Sequence, residues 1–137
     1  MKKLTSPRSL ALVLLGAVLL IVGGSSPALT APLDDPMLAL EGLQEMGRHY
    51  AGSDLRNPLA APLYADLSGL PPLLVFVGTR EILQDDATRV VDNARAAGVD
   101  TTLSVGEGLI HVWQIFPLPE SAESLAQVSE FVGEHLP

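Results

Sequence analysis

Apolar and polar positions along this chain fall into blocks that switch between the period of a strand and that of a helix. Leu10 to Val22 is an uncharged run rich in Leu, Val and Ala, closed by Gly23-Gly24-Ser25-Ser26-Pro27-Ala28. Within it, Leu10–Leu15 has the continuous apolar character of a parallel strand buried on both faces. Asp35-Pro36 reads as a helix start, with Asp as cap and Pro at the first helical position. Met37, Leu40, Leu43 and Tyr50 fall on or near one face of that helix, and Gly52 ends it. Ser53 to Gly69 contains Asn57-Pro58, Ala61-Pro62 and Ser68-Gly69 and reads as a loop. Pro71-Pro72 leads into Leu73–Gly78, an apolar run between breakers that fits a buried parallel strand.

Ile82 to Ala97 has helical spacing, with Leu83, Ala87, Val90, Val91 and Ala94 inward and Gln84, Asp86, Arg89, Asn93 and Arg95 toward water. Gly98 closes it. Thr101 to Val105 is a short strand with β-branched residues, broken by Gly106-Glu107-Gly108. Pro119 and Glu120 open a last helix whose apolar stripe is read as Ala122, Leu125, Val128, Val132 and Leu136. No internal repeat or low-complexity tract interrupts this order. The pattern β-α-loop-β-α-β-α predicts an α/β class with a parallel sheet, and right-handed crossovers place helices on both of its faces.

Composition narrows what such a domain can do. The 137 residues are 47% hydrophobic, enough for one core, and carry 8 Lys plus Arg against 16 Asp plus Glu. Three of those cations, Lys2, Lys3 and Arg8, precede residue 9, so the rest of the chain is more acidic still. That leaves no electrostatic footprint for nucleic acid or an anionic membrane surface. Without cysteine there is no disulfide, thiolate nucleophile or thiolate metal site. His49, His111 and His135 are too far apart for a local metal motif such as H-E-x-x-H. The cationic start also gives residues 1–31 a second reading, as a signal peptide. Met1 to Arg8 would be its positive region, Leu10 to Val22 its apolar region and Ser26-Pro27-Ala28 its cleavage site. The apolar run is too short for a membrane span of roughly 20 residues. The strand is preferred because strands and helices alternate through residues 32–137, and it implies a cytoplasmic chain. The signal peptide would imply export.

Candidate chemistry lies at the carboxyl ends of the strands, where open parallel sheets gather their ligands. One group is the Gly78-Thr79-Arg80-Glu81 turn, continuing to Asp85-Asp86. The other is His111, in Gly106-Glu107-Gly108-Leu109-Ile110-His111-Val112-Trp113. A carboxylate and an imidazole at adjacent strand ends make two-thirds of a hydrolytic triad: the acid holds the imidazole's tautomer, and the imidazole takes a proton from a nucleophile. On pattern alone, His111 beside Ile110 and Trp113 suits packing better than chemistry. Asp85 and Asp86 suit the first turn of a helix, where carboxylates favour the macrodipole, and Asp85 is spaced to pair with Arg89.

The stretches Ala60 to Leu74 and Gly78 to Ala87 resemble the hormone-sensitive-lipase-like branch of the α/β-hydrolase esterases. Asp35-Pro36-Met37-Leu38, Gly98-Val99-Asp100 and Gly108-Leu109-Ile110-His111-Val112-Trp113 strengthen the likeness, which runs from about Asp34 to the C-terminus. Ala11–Leu15 is similar, more weakly, to that family's sixth strand, although Gly16-Ala17-Val18-Leu19-Leu20 replaces a usual polar stretch. The resemblance implies a partial α/β-hydrolase fold, about three parallel strands matching the family's sixth to eighth, flanked by helices. It places His111 as the catalytic base and Glu81 as the triad acid, with Asp85 as the fallback acid. It implies hydrolysis of short-chain carboxylic esters through an acyl-enzyme, with no metal or organic cofactor.

One departure decides what to expect of activity. The family's nucleophile elbow G-x-S-x-G and its upstream His-Gly-Gly-Gly stretch are both absent from the sequence. Gly24-Ser25-Ser26-Pro27-Ala28 lacks the second Gly, and Leu67-Ser68-Gly69-Leu70-Pro71 does not fit the motif either. The chain therefore reads as the C-terminal half of an esterase, inactive alone, taking a small ester substrate once complemented by the N-terminal half. Its first strand would expose an edge open to a partner or to self-association. The competing reading is an exported, non-catalytic binding module that reuses the fold.

Overall fold

In a computed structural model the structure describes residues 12–14 and 35–135. Three parallel strands form one sheet in the order β1 (Leu12–Leu14), β2 (Leu73–Gly78), β3 (Thr101–Gly106). β1 pairs in register with Leu73, Leu74 and Val75. β2 and β3 pair along their whole length, from Leu73↔Thr101 to Gly78↔Gly106. Among the described residues the helices are α1 (Leu40–Ala51), α2 (Gln84–Ala96) and α3 (Pro119–His135). The α/β class and the parallel sheet are as expected from the pattern. Of the apolar N-terminal run only Leu12–Leu14 falls in the described residues, so the signal-peptide reading lies outside them.

β2 is buried at every position, and its two-residue period sorts two cores. Leu73, Val75 and Val77 pack with Ala87, Val90, Val91 and Ala94 of α2. Leu74 and Phe76 pack on the other face with Trp113 and Phe131. A strand covered on both sides needs no polar face, which is why Leu73–Gly78 reads as an unbroken apolar run. All five predicted inward residues of α2 are buried or lie in its core contacts. The stretch before β2 adds a one-turn 3-10 segment at Pro62–Tyr64, and Leu63 and Leu67 cover the α2 core from outside. No helix among the described residues is long and apolar enough to cross a membrane.

Three local expectations are corrected. The first helix begins at Leu40, after an extended Ala39, and not at Asp35-Pro36. One Asp35 oxygen accepts from the N–H groups of Met37 and Leu38 at 2.8 and 3.0 Å, closing a local turn before the helix. Only Leu43 and Gly47 of α1 are buried; Met37 and Tyr50 face solvent. Asp86, expected in water, is 1% exposed, and Arg89 meets it at 3.4 Å. In α3 the buried residues are Ser121, Ser124 and Phe131, while Leu125 is 58% exposed and Ala122 also faces out. Val128 is half-buried beside Phe131, and Leu136 lies outside the described residues. The helix is rotated because Trp113, at 2% exposure, needs a partner for its indole N–H, and Ser124 supplies it.

This rotation predicts opposite outcomes for two substitutions. Phe131→Ala should cost about 3–5 kcal/mol, and Leu125→Ala should stay within about 0.5 kcal/mol of the parent. Urea unfolding followed by circular dichroism reads both. A larger loss for Leu125→Ala would restore the expected stripe.

Candidate active site

The register of β2 and β3 ends level, at Gly78 and Gly106. Each strand then runs into a loop, and the two loops are laced together by backbone and side-chain bonds. Thr79 N–H donates to Gly106 O at 3.0 Å, and Arg80 N–H to Leu109 O at 3.0 Å. Gly108 N–H donates to Thr79 Oγ1 at 2.8 Å. The lacing depends on missing side chains at the two strand ends. A Cβ on Gly78 would stand 2.2 Å from Leu109 O, and one on Gly106 would stand 2.7 Å from Leu109 Cδ1 and 3.1 Å from the Trp113 ring. Both glycines let the loop that carries His111 descend onto the turn that carries Glu81.

Glu81 and His111 meet beneath that closure. Both are 3% exposed. Glu81 Oε2 accepts from Gly78 N–H at 3.2 Å, and Glu81 Oε1 lies 3.5 Å from His111 Nδ1. A buried carboxylate is unfavourable unless something answers its charge; here the Gly78 N–H bonds one oxygen and the His111 ring lies beside the other. The 3.5 Å separation is longer than a formed hydrogen bond. Distances of this kind shorten when a reacting group engages the imidazole from the other side.

Asp35 fixes the acid turn from behind. Its second oxygen accepts from Ile82 N–H at 2.9 Å, across 47 positions of sequence. Ile82 and Leu83 pack with Leu43 of α1, so α1 and its leading turn brace the residues next to Glu81. The sequence reading took Asp35 for a helix cap, and no local signal marks a partner so distant. Asp85, the fallback acid, sits half-buried in the first turn of α2; the acid beside His111 is Glu81.

In the first elbow fragment, Ser26 lies outside the described residues. Ser68 precedes β2 and so lies toward the strand's opposite end from Glu81 and His111, along a strand about 17 Å long. It is exposed and bonded to Asp66 through both its hydroxyl and its backbone N–H. Those bonds hold the Asp66 carboxyl below its usual range. No group of three His, Cys, Asp or Glu side chains among the described residues could hold a metal ion. An open cavity of about 270 Å³ between β3 and α3 is lined by Leu109, Trp113, Glu107, Glu120 and Glu123, among others, and not by Glu81 or His111.

Comparison with known proteins places this geometry. The family described as "alpha/beta hydrolase fold" matches residues 2–115. An esterase of Acinetobacter venetianus is 39% identical over 101 residues, covering 71% of this chain and 33% of that protein. An acetyl-hydrolase of Streptomyces hygroscopicus is 38% identical over 99 residues, covering 70% of this chain and 33% of that protein. A solved esterase from the bacterial hormone-sensitive lipase family superposes with a TM-score of 0.87 at 38% identity, over 96% of this chain and 45% of that one. The chain thus spans about a third of the length of these curated relatives and just under half of the solved one.

Gly78→Ala tests the closure. The added methyl meets backbone, which cannot rotate away, so the loop must lift and stability should fall by about 1–3 kcal/mol. Amide exchange at Arg80 and Gly108 should quicken with it. Gly42→Ala, in open space on α1, should instead stabilise by about 0.5–1 kcal/mol. Unchanged exchange in Gly78→Ala would show that the loops hold without the glycine.

Proposed function

Because the chain belongs to the alpha/beta hydrolase fold family, on its hormone-sensitive-lipase-like branch of carboxylic ester hydrolases, we propose that it carries the acid and base of an ester-hydrolysing relay whose nucleophile stands on a segment these 137 residues do not contain. The observation that carries this reading is the buried Glu81–His111 pair at adjacent strand ends. In the proposed reaction Glu81 accepts from His111 Nδ1–H and so leaves Nε2 free to take the proton of a serine hydroxyl. The serine oxygen adds to the carbonyl carbon of a short-chain ester. The tetrahedral intermediate collapses with loss of the alcohol, which leaves protonated by His111. Water, deprotonated by the same imidazole, then releases the acid from the acyl-enzyme.

The sequence holds neither G-x-S-x-G nor His-Gly-Gly-Gly. A segment bearing both must dock for turnover, and loss of a nucleophile alone costs on the order of 10⁶ in rate. The outer edge of β1, which has one strand neighbour among the described residues, is where a nucleophile-bearing strand would add to the sheet. Without such a segment the same edge offers its backbone groups to a second copy.

Complementation tests the reading directly. The N-terminal portion of the Acinetobacter venetianus esterase, which carries the missing half in that protein by this proposal, is produced separately and mixed with the chain. Hydrolysis of p-nitrophenyl acetate is then followed. The chain alone should match the uncatalysed rate, and the mixture should turn over. Glu81→Gln should lower that turnover by about 10⁴-fold, with a loss at least as large for His111→Asn. A mixture no faster than its separate parts overturns the proposal. A loss on Asp85→Asn with none on Glu81→Gln moves the acid to Asp85.

A further inference from the structure

The turn that carries His111 is held in a conformation its own residues disfavour. Val112 sits at φ 48°, ψ 38°, where a β-branched side chain crowds the backbone. Among the described residues it is the one non-glycine with positive φ. Such a conformation persists where surrounding contacts over-determine it, and the next residue supplies them. The Trp113 ring meets Phe76 edge-on, with centroids 6.0 Å apart. The indole N–H and the carbonyl of Trp113 both bond α3, the carbonyl also accepting from Phe116 N–H at 3.0 Å. Its Nε1–H donates to Ser124 Oγ at 3.0 Å, and its carbonyl accepts from the Ser121 hydroxyl at 2.7 Å. The Ser124 hydroxyl donates in turn to Glu120 O at 2.8 Å, which leaves a lone pair for the indole.

These two serines occupy inward positions of a helix that turns Ala122 and Leu125 outward. Packing alone favours the reverse, since a buried hydroxyl is unfavourable unless bonded. Both bonds end on the residue two places after His111. We propose that Ser121 and Ser124 are positioning residues for His111, acting through Trp113: by clamping its carbonyl and indole to α3 they hold Val112 left-handed and keep His111 Nδ1 toward Glu81. The proposal rests on the acid–base reading above.

The test uses the full 137-residue chain and reads the His111 ring nitrogens by ¹⁵N NMR at a pH where the imidazole is neutral. In the parent chain a single tautomer protonated on Nδ1 is expected. In the double variant Ser121→Ala, Ser124→Ala the two ring nitrogens should move toward each other as the tautomers mix. Threonine at both positions should restore the parent pattern. Val91→Ala, which thins the core beneath α2, should lower the melting temperature and leave the ring signals in place. Should the double variant not fold, each single alanine variant is read the same way below its melting temperature. Folded variants with parent-like ring signals overturn the clamp and leave the acid–base reading intact. A parent chain protonated on Nε2 overturns the acid–base reading and the clamp with it, before any substitution is made. In the complemented enzyme Ser124→Ala should lower kcat by about 10- to 100-fold at unchanged KM, with Ser124→Thr restoring it. An unchanged kcat counts against the clamp.

Discussion

The parallel register of β2 against β3 is the constraint on which the rest of the molecule depends. Pairing Leu73 with Thr101 forces Gly78 to pair with Gly106 five residues on, so both strands stop at the same height. The acid turn and the histidine loop start from that level and can be laced by short bonds. A slip of one residue would send β2's alternating side chains to the wrong cores and separate the two glycines whose bare backbones allow the loops to touch. Core packing and site geometry are therefore set by one and the same alignment.

A second layer of the design answers the charge that this alignment buries. Glu81 is enclosed with an imidazole and a single backbone N–H as neighbours. Bracing falls to residues on either side in space: Asp35 holds Ile82 from one direction, and Trp113 is held by α3 from the other. Glu81 and His111 thus meet between two braced turns. Both side chains are almost fully buried, and the cavity between β3 and α3 does not include them.

Much of this was legible in the residue order, for reasons that differ element by element. β2, α2 and β3 announce themselves because their periods are local and both faces of β2 are apolar. Glu81 and His111 could be singled out because strand ends follow from the strands, and the resemblance to esterases then gave the pair its roles. The rotation of α3 could not be read. Hydropathy ranks Leu125 above Ser124, and only the demand of a buried indole N–H reverses that order. Asp35 was hidden for a related reason: an Asp before a Pro and an apolar run suits a helix cap, and its actual partner sits 47 residues away. In each case a single long-range hydrogen bond outweighed a sound local preference.

The placement of Glu81 and His111 follows from the same topology. Glu81 and His111 follow consecutive strands joined by one crossover helix, and the side-chain bonds that brace their two turns run from Asp35 to Ser124. Nothing in that set of contacts refers to a nucleophile. Proton transfer is different in kind, because it needs a reacting hydroxyl within hydrogen-bond reach of the imidazole. On the reading proposed above, preorganisation of the pair belongs to this part of the fold, and turnover belongs to its union with a nucleophile.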